Sequence, residues 1–172
     1  MAARIDLTDT HWLAWAAGII DGEGSIGIYK NRHRNNWELR VSVGNLDPRL
    51  LRLLRELFGG HTRLSKVAKG RYRPLWKWAV SHRGAERCLR LVMPWLVAKR
   101  DQAELALEAR SLVGRKWQRR SLECESALCH LDSELRRLKR VEFPAIAFTD
   151  DDEIRPARTA VESNRQLSIG DG

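Results

Sequence analysis

Polar and apolar positions fall into blocks of different period along this chain. From Trp12 to Ile20 every residue is apolar or small. A helix without a polar stripe is buried on all sides. Thr8-Asp9-Thr10 supplies its N-cap, and Asp21-Gly22-Glu23-Gly24 stops it with flexible backbone. Ser25–Lys30 then alternates as a strand does, Asn31–Asn36 reads as a turn, and Trp37–Val43 alternates again. In that second strand Leu39, Val41 and Val43 share one face, and Glu38, Arg40 and Ser42 the other. Asp47-Pro48 opens a helix that runs to Phe58 and ends at Gly59-Gly60. A second hairpin follows, His61–Val67 and Leu75–Val80, joined by a basic turn at Ala68–Arg73. Helices are expected over about Arg83–Val92, Trp95–Val113 (after the break at Pro94) and Trp117–Arg140. The last carries an apolar seam, Leu128, Leu131, Leu135 and Leu138, suited to docking on the body.

Helix, hairpin, helix, hairpin, helices is an α+β order. The two hairpins form one four-stranded antiparallel sheet with helices on its apolar face. The other face then carries Arg40, Ser42, Lys77, Arg63, Arg71 and Arg73. Alternation also sets Ser25, Gly27, Tyr29 and Asn31 on one face of the first strand, with Arg32, His33 and Arg34 on the first turn and Lys69 on the second. Most of the seven tryptophans fall on apolar periods and read as core.

Charge sharpens this. The 172 residues carry a net +9, but residues 141–172 hold seven acids against three arginines, which leaves +13 on residues 1–140. The chain therefore divides into a basic domain, 1–140, and an acidic tail, 141–172, expected to be flexible. A domain this basic meets a polyanion, and charge alone does not separate DNA from RNA. Three cysteines without framework spacing point to a reducing compartment and not to a disulfide scaffold. Cys124, Cys129 and His130 lack a fourth ligand at zinc-like spacing. The Trp12–Ile20 run is too short to span a membrane, so a soluble, intracellular protein is expected.

Ala14, Ala17 and Gly18 form a small-residue stripe at i, i+3, i+4 on the apolar helix, followed at once by Asp21 and Glu23. Small stripes let helix backbones approach closely. If this helix pairs with its own copy about a two-fold axis, the acids converge, which is unfavourable unless a cation lies between them. Oxygen donors of this kind suit Mg²⁺ shared with substrate phosphates, and one such site per strand would give a double-strand break. On spacing alone, a buried helix ending in a polar turn explains the segment as well.

Ala16-Ala17-Gly18-Ile19-Ile20-Asp21-Gly22-Glu23-Gly24 closely resembles the signature of the LAGLIDADG homing endonucleases. Ala16 stands where the signature has leucine, and Glu23 where it has its second aspartate. The element order extends the resemblance over about residues 8–112, with one copy of the motif. It implies an αββαββα core with a saddle-like sheet. It also implies a homodimer cutting both strands of a long, roughly palindromic DNA duplex with Mg²⁺ (Mn²⁺ and Ca²⁺ being the alternative occupants of the site), and no organic cofactor. By the same resemblance Glu23 binds the metal with help from the Gly22 carbonyl, and Asp21 caps and steadies the paired helices. Asn45 positions water, Arg49 meets the scissile phosphate, Lys99 polarises water or phosphate, and Gln102 supports Lys99. Asn45 as a plain turn residue remains an alternative. Relatives that bind DNA or intron RNA without cutting are the alternative for the whole chain.

Overall fold

The described chain runs α1 (Thr10–Glu23), β1 (Gly24–Asn31), β2 (Asn36–Asn45), α2 (Pro48–Phe58), β3 (His61–Lys66), β4 (Leu75–Ser81), α3 (His82–Val92), α4 (Arg100–Leu112) and α5 (Leu122–Leu138). It comes from a computed structural model that describes residues 10–31, 36–67, 73–113 and 121–140. The expected cap at Thr8 and Asp9, both hairpin turns (with Arg32, His33, Arg34, Lys69 and Arg71) and the acidic tail lie outside the described residues.

The strands form one antiparallel sheet in the order β1-β2-β4-β3. Register fixes its faces, because residues directly opposite in an antiparallel pair point the same way. Ile26 pairs Val41 and Val41 pairs Val80; Val43 pairs Trp78, and Trp78 pairs Thr62. This is the apolar face, and the helices lie on it. Leu51, Leu54 and Leu57 of α2, Ala85, Cys88, Leu89 and Val92 of α3, and Ala103, Ala106 and Ala109 of α4 join it in one core. The α5 seam docks there too, with Leu128, Leu131 and Leu135 buried. Trp78, fully buried, satisfies its indole N–H on the Gly59 carbonyl at 2.8 Å.

Two expectations need correction. Helix α1 is not buried all round: Leu13, Ala16, Ala17 and Ile20 face the core, while His11, Gly18, Gly22 and Glu23 are exposed. Helix α4 starts at Arg100, not Trp95; a 3-10 turn, Met93–Trp95, and an irregular stretch precede it. Among the described residues the tryptophans are mostly core, as expected: Trp37 and Trp78 are buried and Trp12, Trp15 and Trp76 pack against the core, whereas Trp95 is 41% exposed.

The junction of α1 and β1 requires glycine. A Cβ on Gly24 would stand 2.4 Å from the Ile20 carbonyl oxygen, a backbone atom that cannot move aside alone. Gly24→Ala is therefore expected to destabilise the fold by about 2 kcal/mol through overpacking, read as a lower urea midpoint at unchanged slope.

Candidate functional site

The end of α1 carries Asp21 and Glu23, which do different things. The Asp21 carboxylate accepts the backbone N–H groups of Val97 (2.8 Å) and Lys99 (2.9 Å). This contact fixes the chain just ahead of α4, and it explains why that helix starts late. The Lys99 ammonium in turn donates to the Asp21 main-chain carbonyl. Burial holds the Lys99 pKa below the ordinary lysine value, partly offset by the charge of Asp21. Asp21 is thus a clamp inside one chain, which sharpens the expected capping role. Asp21→Ala removes the acceptor of one exposed and one part-buried backbone N–H, and a loss of about 1–2 kcal/mol is expected in equilibrium unfolding.

Glu23, two residues on, is exposed. It lines an open cleft of about 680 Å³ with Gly44, Asn45, Leu46, Asp47, Arg49, Arg73 and Leu75. The structure therefore brings together Glu23, Asn45 and Arg49, as the sequence suggested, and adds Arg73. It does not bring in Gln102, which lies 9% exposed on α4 with its Oε1 unpartnered among the described residues. Nor does Lys99 line this cleft, being tied to the neighbouring helix end.

Asn45 uses its side-chain oxygen locally, accepting the Asp47 backbone N–H at 2.8 Å. Turn chemistry thus claims part of this residue. Asp47 caps α2 by accepting the Arg49 backbone N–H at 2.9 Å, and it also grips the Arg49 guanidinium. Hydrogen bonds from the Arg49 side chain and backbone hold the Asp47 carboxyl down to about 2. A lowered carboxyl pKa stabilises the folded state fully above the ordinary 3.8, and that contribution fades as pH falls through about 2. The Asp47 carboxyl carbon should accordingly titrate near 2 by NMR and return towards 3.8 in Arg49→Ala.

The sheet's outer face runs away from this cleft. Register puts Ser25, Tyr29, Glu38, Arg40, Ser42, Lys77 and Arg63 on it. Of Asn31 only the backbone is described. Glu38 accepts from the Ser81 hydroxyl at 2.6 Å and from Arg40 Nε and Nη2 at 3.0 and 2.9 Å. Burial alone would raise the Glu38 pKa, but these hydrogen bonds and the Arg40 charge bring it below the ordinary value. The Arg40 guanidinium also lies 5.3 Å over the Tyr29 ring. Ser42 is a correction: it is on this face, yet only 5% exposed. Its short side chain sits mid-sheet between Ser25 and Ala79, covered by its neighbours. The end of α5 reaches the same face, since the Lys139 ammonium stands 3.2 Å from where a Gly27 Cβ would be. Sequence reasoning missed Lys139 because it follows the helical seam and carries no motif.

The stripe on α1 also needs correction. Ala17 is fully buried in the chain's own core. The outward small residues are Ala14, Gly18 and Gly22, at i, i+4, i+8, and nothing stands within 4 Å of a Cβ on Gly18 or Gly22. Among the described residues no three His, Cys, Asp or Glu side chains gather as a metal cluster, and no helix is long and apolar enough to cross a membrane. Cys88 is buried, Cys124 half-buried and Cys129 exposed, all as free thiols.

No family model matches the chain. A stretch of 60 residues is 38% identical to a probable intron-encoded endonuclease, aI2, of Debaryomyces hansenii; it covers 34% of this chain and 9% of that protein. Solved structures with the same fold include the homing endonuclease I-CvuI in complex with its target, at a TM-score of 0.64 and 18% identity, covering 82% of this chain and 90% of that one. The archaeal intron-encoded homing endonuclease I-Vdi141I, complexed with DNA, gives 0.62 at 15% identity over 80% and 89%. The LAGLIDADG meganuclease I-AabMI, bound to uncleaved DNA, gives 0.52 at 21% identity over 74% of this chain and 44% of that one. The described chain has the LAGLIDADG homing-endonuclease fold, a four-stranded antiparallel α+β sheet with its helices on one face.

Proposed function

We propose that this chain is a site-specific DNA endonuclease that works as a homodimer and hydrolyses both strands of a long, roughly two-fold symmetric duplex. The observation that carries this reading is the position of Glu23. It is an exposed carboxylate at the end of a helix whose free face is small, and it shares a cleft with Asn45, Arg49 and Arg73.

The donor set fits a divalent cation only as half a site. One chain offers the Glu23 carboxylate and the Gly22 carbonyl, both oxygen donors, which suits Mg²⁺, Mn²⁺ or Ca²⁺. The outward face Ala14-Gly18-Gly22 supports the other half, because a second copy of α1 can pack closely there and present its own Glu23. When bound, a divalent cation supplies Lewis-acid activation of water and neutralises charge at a scissile phosphodiester. The remaining work belongs to side chains of this chain. Arg49 and Arg73 hold phosphate in the cleft, and Asn45 supplies a polar rim. Lys99, to which the resemblance gives the polarising of water or phosphate, is anchored to the Asp21 carbonyl outside this cleft, so that role requires the ammonium to leave that carbonyl. Tyr29, Glu38, Arg40, Arg63 and Lys77 lie where a duplex groove would meet the sheet, as do Ser25 and the end of α5.

The relatives support this reading in kind: one is named an intron-encoded endonuclease, and I-CvuI has been solved with its target and Ca. This chain spans nearly all of the I-CvuI chain but under half of the I-AabMI chain, which fits one motif copy per subunit. The test is selection. Incubation with a randomised duplex library and Mg²⁺ should yield cut ends that share one long, roughly symmetric sequence. Retention of such a sequence without any cut product would make the chain a binding protein instead.

A further inference from the structure

The cleft contains a second carboxylate that the proposed chemistry does not use. As a helix cap Asp47 needs one oxygen, and serine, threonine or asparagine would cap α2 equally well. Aspartate does more here. Its Oδ1 accepts the Arg49 backbone N–H at 2.9 Å and Arg49 Nε at 3.0 Å, and its Oδ2 accepts Nε at 3.0 Å and Nη2 at 2.6 Å. Asn45 braces Asp47 from behind through the backbone N–H. Three alternate residues, Asn45, Asp47 and Arg49, thus form one chain of hydrogen bonds, and all three line the cleft with Glu23.

The Arg49 side chain is 84% exposed. An arginine that free ordinarily samples many rotamers, and an ion pair that exposed adds little to folding. The pairing therefore matters for where the guanidinium is held. Arginine carries five N–H donors in a rigid fork. Asp47 occupies the Nε–Nη2 edge and leaves Nη1 and the outer edge for a second anion.

We propose that Asp47 is a positioning residue: it grips one edge of the Arg49 guanidinium so that the other edge is presented to a DNA phosphate in the cleft shared with Glu23. This inference rests on the endonuclease reading. Asp47 touches neither substrate nor reacting atoms; it acts through Arg49.

The test compares wild type with Asp47→Ser and Asp47→Asn on a duplex recovered by cleavage selection. Serine keeps the helix cap and loses the guanidinium contact; asparagine keeps one acceptor for Nε. Asp47→Ser should cut about 10- to 100-fold more slowly at saturating duplex, as a displaced catalytic contact does. Its duplex affinity in Ca²⁺ and its melting temperature should stay within about twofold and about two degrees of wild type, the cap being kept. Asp47→Asn should fall between them. In the free protein the Arg49 Nε–H NMR signal should be distinct in wild type and averaged with other arginines in Asp47→Ser. Cleavage by Asp47→Ser at the wild-type rate or faster overturns the inference and leaves the nuclease reading standing. So does an equal loss of affinity and rate accompanied by a lower melting temperature. A wild-type protein that cuts no duplex removes the nuclease reading, and the inference with it.

Discussion

Glu23→Gln should abolish strand cleavage while leaving duplex binding intact. Glutamine has nearly the shape of glutamate, and position 23 is exposed, so neither the fold nor the cleft should change. Only the charge is lost. Among the described lining residues Glu23 is the one carboxylate not already paired with an arginine, so none of them can replace it. A fall of at least about 10³-fold in the single-turnover rate is expected, as for a group that acts only in the chemical step. Affinity in Ca²⁺, carried by the phosphate and groove contacts of the sheet, should move little. In the proposed homodimer the same substitution also removes two like charges from the two-fold axis. The metal-free dimer of Glu23→Gln should therefore be tighter than that of wild type, a result that sedimentation can read.

Gly18→Glu should give a folded monomer that does not cut. Gly18 is exposed, and nothing lies within 4 Å of a Cβ built on it, so the single chain accommodates a side chain there. Across a two-fold axis each new carboxylate would face its own copy where two backbones should touch. Juxtaposed like charges at an interface cost several kcal/mol, so dimerisation should weaken by about 10³-fold or more. The far-ultraviolet circular dichroism and the melting temperature of the monomer should be preserved. Cleavage should be lost because each half-site keeps only one of its two Glu23 carboxylates. A variant that stays dimeric and active would remove α1 from the interface.

The sequence carried the fold well where periodicity was clean. Alternation in β2 and β4 put Leu39, Val41, Val43, Trp78 and Val80 on the core face, and register bears this out. Asp47-Pro48 and Gly59 bounded α2 correctly, because cap chemistry is local. Where partners are distant, the pattern was silent. The late start of α4 depends on the Asp21 carboxylate capturing amides 76 and 78 residues away. The error at Ala17 has a different origin. A helix apolar on both sides has no periodic signal to say which small residues face outward, so Ala17 and Gly18 looked alike until the core claimed the former.

The candidate site was legible in part. Glu23 came from the motif, Asn45 and Arg49 from the wider family resemblance, and the three do share a cleft. Asp47 was read only as a helix cap, although its two-residue spacing from Arg49 puts both groups on the first turn of α2, within side-chain reach. Ser42 was assigned to the reading face by alternation, which gives direction but not depth. Gln102 was chosen for its helical distance from Lys99, yet α4 turns it into the interior.

The central claim is that two copies of Glu23 together hold the ion that acts on DNA. The most direct measurement is the anomalous diffraction of Mn²⁺ in crystals of the protein with a cleavage-selected duplex. Two chains per duplex, with manganese peaks contacted by the Glu23 carboxylates of both, is the predicted result. One chain per duplex, or manganese bound away from Glu23, would contradict it.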